Sequence, residues 1–279
     1  MFASVDWSAV WGHLYPHTVD WHVVWGRLFH PDHVFFRALW TTVYIAVLAQ
    51  VLGVVLGLLA ALMRMSRFAP LRWLSGAYVL VFRGTPLLVQ IFFIYYGIDL
   101  LFGFNLIPVT LNLGVFRLDG AVFAGILALG LNEGAYMREI IRAGIDSIDK
   151  GQMEAAKTLG MRSTLAMRRI ILPQAARVIV PPLGNEFNNM MKNTSLVYTI
   201  GVFEMFAYAE QNYSQYFIAD YFLAIAVWYL FLTTVWTFIQ AHIERRLAAS
   251  ERSDELSFSE RLERAWNPMA AWGRGGINR

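Results

Sequence analysis

Apolar residues in this chain gather in long runs, which are separated by stretches where charged residues cluster. An α-helix needs about twenty consecutive apolar residues to cross the hydrocarbon core of a bilayer. The runs predict about five membrane-spanning helices, over residues 38–63, 86–102, 121–141, 178–206 and 221–243, with apolar residues from position 74 onward able to lengthen the second. The predicted fold class is therefore an all-α integral membrane protein.

Local signals refine these runs. Gly53 and Gly57 lie four residues apart on one helix face, a spacing of small residues that permits close contact between membrane helices. Thr85 is predicted as the N-cap and Pro86 as the first helical residue of the second span. The proline pair at 181–182 removes backbone donors, so we expect it to end or kink a helix and to leave the preceding segment as a separate unit.

The segment before the first run is rich in Trp and His but is broken by charged residues, so it cannot span. Trp21, Val24 and Leu28 are predicted to share one face of a helix, with Trp25 beside them. Two interpretations stay open: an amphipathic segment lying at the membrane interface, or a poorly ordered terminal arm with Trp anchors.

These patterns predict three regions, which are an extracytoplasmic or interfacial arm at 1–33, a transmembrane domain at 34–247 and a polar tail at 248–279. A short helix is predicted within the tail, over 254–266. The connection at 103–120 is expected to be a loop.

Composition supports the membrane assignment, because 57% of the residues are hydrophobic and only 15% are charged, whereas soluble chains carry about 25% charged residues. The absence of cysteine excludes disulfides, thiolate catalysis and Cys-based metal sites. Residues 1–7 show neither a basic segment nor an apolar one, so a cleavable signal peptide is not expected.

Lys and Arg are distributed unevenly among the connections. Residues 64–72 hold three Arg, residues 142–169 hold six basic residues, and Arg245-Arg246 open the tail, whereas 103–120 holds only Arg117 and 204–220 holds no basic residue. Because cytoplasmic connections carry the excess of Lys and Arg, the amino terminus is predicted to lie outside and the carboxyl terminus in the cytoplasm.

The most basic connection carries a patterned segment. Glu154-Ala155-Ala156 are good helix formers, and Gly160 follows where a left-handed helix stop belongs. The small side chains of Ala155 and Ala156 are expected to let this helix press closely against another protein. A charged helix between membrane spans is therefore predicted to face a soluble partner.

The spacing of E-A-A, three residues, G, nine residues and I-x-L-P resembles the cytoplasmic coupling motif of ABC-transporter permeases of the binding-protein-dependent import type. Other segments look like the polar amino acid subfamily of these permeases, and together they extend the resemblance over about 38–246. These segments are RGTPLL at 83–88, YYG at 95–97, AYMREI at 135–140, GQMEAA at 151–156, LPQA at 172–175 and KNTSL at 192–196.

The resemblance implies a type I importer permease in a bacterial inner membrane. Its expected partners are a second permease chain (identical or different), a cytoplasmic ABC ATPase dimer and an extracytoplasmic amino acid binding protein, besides membrane lipid. ATP and Mg²⁺ belong to the ATPase; this chain has no P-loop sequence and is expected to be neither an enzyme nor a cofactor-binding protein. The resemblance assigns coupling to Gln152, Glu154, Ala155, Ala156, Gly160, Leu172 and Pro173.

Polar groups inside membrane spans are costly, so each is a functional candidate. One stripe follows the fourth run at offsets of 3, 4, 7 and 10 residues: Asn185, Asn188, Asn189, Lys192 and Ser195. Two interpretations stay open. The stripe lines a substrate path, with Lys192 meeting a carboxylate, or it holds helices together, with Lys192 either paired to an acid such as Glu133 or Glu186 or extended toward the membrane surface.

The third run contributes Asn132 and Tyr136, one turn apart, with Glu133 beside them. Glu133 is a candidate for recognising a substrate ammonium, but a role as a buried structural partner is slightly favoured. No metal site is expected, since the spacing of the histidines at 13, 17, 22, 30 and 33 matches no tetrahedral site. No nucleic-acid partner is expected either, because the positive-inside bias explains the basic residues.

Overall fold

The computed structural model describes residues 19–103, 107–113 and 116–254. The amino-terminal half begins with the short helix α1 and contains two long helices, a helix interrupted by a π-helical segment, and one hairpin. In chain order these elements are α1 Trp21–Phe29, α2 His33–Met65, α3 Ala69–Gly84, α4 Leu87–Phe92, the π segment Phe93–Gly97, α5 Ile98–Phe102, β1 Thr110–Leu113 and β2 Phe116–Asp119.

The regular elements of the carboxyl-terminal half are all helical in its described residues. Its elements are α6 Gly120–Asp146, α7 Lys150–Thr158, α8 Ser163–Ala166, a second π segment Met167–Ile171, α9 Leu172–Asn193, the 3₁₀ segment Thr194–Ile200, α10 Met205–Tyr216 and α11 Asp220–Asp254.

Three helices of the described chain are long and apolar enough to cross a membrane: α2, α6 and residues Asp220–Leu247 of α11. A fourth crossing is added if α3 and the segment Leu87–Phe102, which meet at an angle of 108°, form one broken span. The all-α membrane fold is thus confirmed. Length and composition identify three or four spans rather than the five predicted.

The difference lies in the fourth predicted span, 178–206. Helix α9 begins earlier, at Leu172, and continues through both prolines to Asn193. The prolines were predicted to end or kink a helix, and the first of these outcomes was wrong because the helix does not end there. Side chains of α11 bind carbonyl groups at this level, since Gln240 Nε2 donates to the Pro181 carbonyl at 3.1 Å and Trp236 Nε1 to that of Gly184 at 2.8 Å.

The start of the second predicted span also differs by one residue. Pro86 occupies the N-cap position of α4, and no side chain caps this helix. The Thr85 hydroxyl instead donates to the Val81 carbonyl at 2.8 Å, one turn back in α3. A Thr side chain can bind a carbonyl four residues earlier as readily as it caps a following helix, and here the first option prevails.

The connection after α5, predicted as a loop, contains an antiparallel hairpin that pairs Thr110 with Asp119 and Leu111 with Leu118. Its strands have only four residues each. Four residues is the lower limit of the alternation that predicts a strand, so the signal in the sequence is weak.

Contacts between Cα atoms divide the chain into two units. The first unit is Met1–Ala143 with Asn185–Val235. In it, the predicted close approach at Gly53 and Gly57 is confirmed, because added Cβ atoms would lie 2.5 Å from Glu133 Cγ and 2.3 Å from Met137 Cβ of α6. A buried hydrophobic cluster around Phe35 joins α2 to α10 and α11. Its other members are Ala38, Met205, Tyr208, Ala209, Tyr221 and Ile225.

The second unit is Gly144–Gly184 with Trp236–Arg279. It therefore contains the predicted coupling segment, the first half of α9 and the end of α11. Gly144 lies so close to α9 that an added Cβ would be 2.4 Å from Ile179 Cγ1. Helix α11 continues past the predicted tail boundary at 247, while most of the predicted tail helix 254–266, as well as His13 and His17, lies outside the described residues.

Candidate functional site

Helix α7 carries the predicted coupling residues, and its amino-terminal end is capped. The Asp149 carboxylate accepts a hydrogen bond of 2.6 Å from the Gly151 N–H. An Asp at this position satisfies one of the backbone donors that a helix leaves free at its first turn. The helix bearing Gln152 and Glu154 therefore begins at a defined residue.

The carboxyl-terminal end of α7 stops at Gly160, as predicted. Gly160 has φ +77°, and its N–H donates to the Lys157 carbonyl at 2.9 Å while the Met161 N–H donates to the Ala156 carbonyl at 3.0 Å. These two bonds form a Schellman motif, which requires a left-handed residue at this position. The glycine thus turns the chain sharply away from α7.

The two alanines of the motif lie on different sides of α7. Ala156 is 1% exposed and packs against its own chain, whereas Gln152, Glu154 and Ala155 are exposed. The expectation that both alanines contact another protein therefore fails for Ala156. The small side chain of Ala156 lets α7 lie close to the rest of the second unit. Ala155 stays available to a partner.

Leu159 was not singled out from the sequence, although 82% of its surface is exposed next to the helix stop. A large apolar side chain at an exposed helix end is a candidate contact for another protein. Its position directly before Gly160 was the signal available in the sequence.

Leu172 and Pro173 lie at the start of α9, directly after the π segment Met167–Ile171. Both are exposed. The helical stretch is continuous here, because the Leu172 N–H donates to the Met167 carbonyl of the π segment. The L-P pair therefore marks where the polypeptide enters α9 after the coupling segment.

Asn132 belongs to a buried network at the bend between α3 and α4. Its amide donates to the Phe82 carbonyl and to Gln90 Oε1, both at 2.9 Å. Gln90 in turn donates to the carbonyls of Phe82 and Thr85 at 2.8 and 3.0 Å. These carbonyls belong to the last turn of α3 and the residue after it, so both amide side chains hold the bend together.

Glu133 is 5% exposed and accepts a hydrogen bond of 3.1 Å from Gln50 Nε2. Its side chain also fills the space left by Gly53. These contacts join Glu133 to α2, and its role, structural or in substrate recognition, stays a prediction. Gln50 and Gln90 were both missed because a single amide in an apolar run resembles many interhelical contacts.

Tyr136, the third candidate on α6, lies under a cation. The Arg83 guanidinium carbon is 4.9 Å from the centroid of its ring. Stacking of this kind orients both groups and is favourable where water is scarce. Arg83 is exposed at the end of α3, and it takes part in none of the ion pairs of the described residues.

The polar stripe does form one side of α9. Asn185, Asn189 and Lys192 are exposed, while Asn188 is half-buried. Ser195 lies beyond the helix end, where its hydroxyl donates to the Lys192 carbonyl at 2.8 Å. The alternative pairing of Lys192 with Glu133 or Glu186 is absent from the ion pairs of the described residues.

A buried carboxylate outside the predicted set is Glu204, which is fully enclosed. It caps α10 by accepting from the N–H groups of Phe206 and Ala207 at 2.9 and 2.8 Å, and it accepts from the Tyr229 hydroxyl at 2.9 Å. Its hydrogen bonds are thus satisfied within the fold, which indicates a structural role. Among the described residues no group of three His, Cys, Asp or Glu side chains is arranged to hold a metal.

Comparison with known proteins agrees with this arrangement. Residues 53–249 match the family described as "binding-protein-dependent transport system inner membrane component". The probable amino-acid permease protein YxeN of Bacillus subtilis is 39% identical over 78% of this chain and 92% of its own length. The probable amino-acid ABC transporter permease protein PatM of Vibrio harveyi is 40% identical over 77% of this chain and 92% of its own.

Solved structures show the same fold. A crystal structure of an amino acid ABC transporter with histidines matches 82% of this chain and 100% of its own, with a TM-score of 0.70 and 39% identity. The methionine ABC transporter MetNI in an inward-facing conformation matches 77% of this chain and 96% of its own, with a TM-score of 0.63 and 17% identity, a similarity of fold alone. With its multi-pass helices and coupling helix, this chain belongs to the family of inner membrane components of binding-protein-dependent ABC transport systems, and it is a permease subunit rather than an enzyme.

Proposed function

We propose that this chain forms the translocation path of an importer for polar amino acids and that a separate cytoplasmic ATPase drives it. The observation that carries this proposal is helix α7. Its Ala156 side packs on its own chain, while Ala155 and Leu159 are exposed beside the stop at Gly160. A capped helix with one anchored side and one free side is suited to transmit a movement from a partner.

The substrate class is supported by the relatives. Their printed names include amino-acid permeases and permease proteins for arginine, cystine and glutamine transport. These substrates share the α-ammonium and α-carboxylate groups. The individual amino acid is expected to be set by the extracytoplasmic binding protein.

The proposed path follows the stripe of α9. Asn185, Asn189 and Lys192 are exposed in the single chain, and a polar stripe at membrane depth has to face protein, water or substrate. We place a second permease chain opposite it, either identical or different. Between the two chains, Lys192 meets the carboxylate and the Asn amides bind either end of the zwitterion.

In the proposed assembly, a pair of ATPase subunits binds the exposed side of α7, and the binding protein delivers substrate on the other face of the membrane. ATP binding moves α7 and shifts the permease pair between outward-open and inward-open states. The amino terminus lies outside, and the carboxyl terminus is cytoplasmic.

Reconstituted transport tests this proposal. The complex of both permease chains, the ATPase and the binding protein is placed in proteoliposomes, and uptake of labelled arginine, glutamine and cystine is measured. Uptake should require ATP on the ATPase side and should stop with a non-hydrolysable analogue. Uptake driven by a sodium or proton gradient without ATP would contradict the proposal and favour an ion-coupled transporter.

Fusion reporters test the orientation separately. A reporter fused after Arg246 should read cytoplasmic, because Arg245 and Arg246 follow the last apolar run. A reporter inserted near Asn112, in the hairpin, should read outside. Both reporters on the same side would contradict the proposed topology.

A further inference from the structure

Helix α1 carries a ladder of three aromatic rings that the described chain leaves uncovered. Trp21 and Trp25 have ring centroids 6.1 Å apart, and Trp25 and Phe29 stack at 5.6 Å. These side chains are 55%, 51% and 69% exposed. The ladder differs from the predicted face of Trp21, Val24 and Leu28, because Val24 is only 2% exposed and points into the fold.

The side of α1 away from the ladder is fixed to α11. Trp228 Nε1 donates to the Arg27 carbonyl at 3.3 Å, and the Arg27 guanidinium carbon lies 5.5 Å from the centroid of the Tyr221 ring. The Asp220 carboxylate accepts from the Asp20 N–H at 2.9 Å. These contacts hold both ends of α1 against the same helix.

Asp32, between α1 and α2, joins three elements. Its carboxylate accepts from Arg27 Nη1 at 2.8 Å, from the Tyr208 hydroxyl at 2.9 Å and from the Phe35 N–H at 2.7 Å. The contacts at Asp20, Arg27 and Asp32 hold α1 with its ladder facing away from α11.

The exposed aromatic surface continues along the chain into the first membrane span. Helix α2 begins at His33, and Phe36 and Trp40 in its first turns are 52% and 67% exposed. Outward-facing apolar residues of a membrane span contact lipid. Helix α1, with nine residues, is too short to cross the membrane itself.

The chemistry of the ladder fits one occupant. Trp rings concentrate at membrane–water interfaces, where an apolar body meets lipid chains and a polar edge meets headgroups. The one acid of the segment 19–29 is Asp20, whose carboxylate is used in capping the His22 N–H. Asp20 precedes the helix at its N-cap position, and the ladder itself consists of three uncharged rings.

We propose that α1 is an interfacial anchor whose ladder of Trp21, Trp25 and Phe29 inserts into the headgroup–acyl boundary of a phospholipid membrane. The anchor sets the depth of the Asp32 junction and, through Trp228 and Tyr221, of the adjoining end of α11. This inference depends only on the membrane location of the family and not on the proposed substrate.

Photo-crosslinking in the full complex tests the anchor. Trp25 is replaced by the photoreactive residue benzoylphenylalanine, and the complex is placed in vesicles of phosphatidylethanolamine and phosphatidylglycerol. Illumination should attach a phospholipid to this position, detected as a mass increase on the peptide. The same replacement at Trp40, on the first span, is the positive control. An adduct with another polypeptide, or no lipid adduct while Trp40 gives one, would overturn the proposal.

A second measurement does not depend on the unnatural residue. In vesicles whose lipids carry bromine near the headgroup end of the acyl chains, Trp fluorescence of the wild-type complex is compared with that of the Trp21→Phe, Trp25→Phe double variant. The difference between the two signals is the emission of Trp21 and Trp25. The brominated lipids should quench this emission more strongly than they quench the remaining Trp residues. If this emission is quenched less than that of the average Trp of the protein, the rings face water or protein and the anchor is excluded.

Discussion

Asn132 of α6 donates a hydrogen bond of 2.9 Å to Oε1 of Gln90, the residue whose amide binds the carbonyls on the other side of the helix break. The two helical segments around that break meet at 108°. A bend this sharp frees carbonyl groups that have no water partner inside a membrane. The pair of amides supplies the missing donors, so that a broken helix is tolerated at this depth.

Replacing either amide should therefore weaken the bend. Gln90→Leu removes the side-chain donor of the Thr85 carbonyl, one of the two amide donors of the Phe82 carbonyl and the acceptor of the buried Asn132 amide. A buried polar group left without its partner costs about 1–3 kcal/mol. We expect a lower melting temperature of the purified complex and a lower yield. Val89→Leu, which changes a 56% exposed side chain next to Gln90 on α4, is the matched control with a smaller effect.

The double variant Asn132→Leu, Gln90→Leu separates a network from two independent contacts. Because the two amides bind one another and share the Phe82 carbonyl, their losses should not add. A double variant as unstable as the sum of the single variants would contradict the network.

A second prediction concerns the crossing of α2 and α6. An added Cβ at Gly57 would lie 2.3 Å from Met137 Cβ and 2.9 Å from the Arg138 backbone nitrogen. Gly57→Ala should therefore separate the helices and reduce thermal stability and yield. Gly76→Ala on α3 is the matched control, because its Cβ would meet nothing within 4 Å and alanine favours a helix by up to about 1 kcal/mol. Equal behaviour of the two variants in a thermal melt would contradict the close crossing.

A third prediction tests the helix stop at Gly160. Its φ of +77° is strained for a side chain, while an added Cβ would meet no neighbour within 4 Å. Gly160→Val should therefore act through the backbone alone, at roughly 1 kcal/mol or more of local strain. We expect normal expression but reduced ATP-driven uptake and ATPase binding.

Gly160→Asn is the matched control, since Asn tolerates the left-handed region better than other side chains with a Cβ. It should retain more uptake than Gly160→Val. Normal transport by the valine variant would indicate that α7 is a surface helix without a role in coupling.

A fourth prediction follows from Asp32. The pKa of the Asp32 carboxyl is lowered, although burial alone would raise it. The effects that outweigh burial are the hydrogen bonds from the Phe35 N–H and the Tyr208 hydroxyl and the charges of Arg27 and His33. A group whose pKa is lower in the folded state stabilises the fold above its unfolded pKa, about 3.9 for Asp, and this stabilisation is lost as the pH falls through the folded pKa.

Hydrogen exchange of residues 19–32 should therefore be slow at neutral pH and should rise, relative to the intrinsic rate, as the pH falls below about 4. Asp32→Asn should show the faster relative exchange already at neutral pH and lose this pH dependence, while exchange in α6 stays unchanged. A wild-type segment whose protection is the same above and below this range would contradict the role of Asp32.

Several features of the fold and site followed from sequence because they depend on local rules. Gly160 needed only the helix-stop pattern, and Gly53 with Gly57 needed only their spacing. The uninterrupted helix across the prolines did not follow, since two adjacent prolines locally favour a break or a kink and only the folded chain shows the continuous helix. The face of Ala156 was missed for the same reason, because only the packed unit decides which side of a short helix is anchored.

The last prediction separates the two roles open to the stripe of α9. Asn189 and Lys192 are exposed in the single chain, and in the proposed path a second permease chain, substrate or water binds them. If the stripe lines the path, Asn189→Ala and Lys192→Met should lower uptake per complex and weaken its dependence on substrate charge. Binding of the ATPase and complex yield should stay normal, because neither side chain lies on α7.

If the stripe instead holds helices together, the same variants should first reduce the yield of intact complex, and the complex that remains should transport normally. Measuring yield and uptake on one preparation distinguishes the two. Asn185→Ala, one turn toward the prolines on the same exposed side, should behave like Asn189→Ala in either case. Reduced yield with normal uptake per complex in all three variants would exclude the path assignment and leave α9 as a site of helix association.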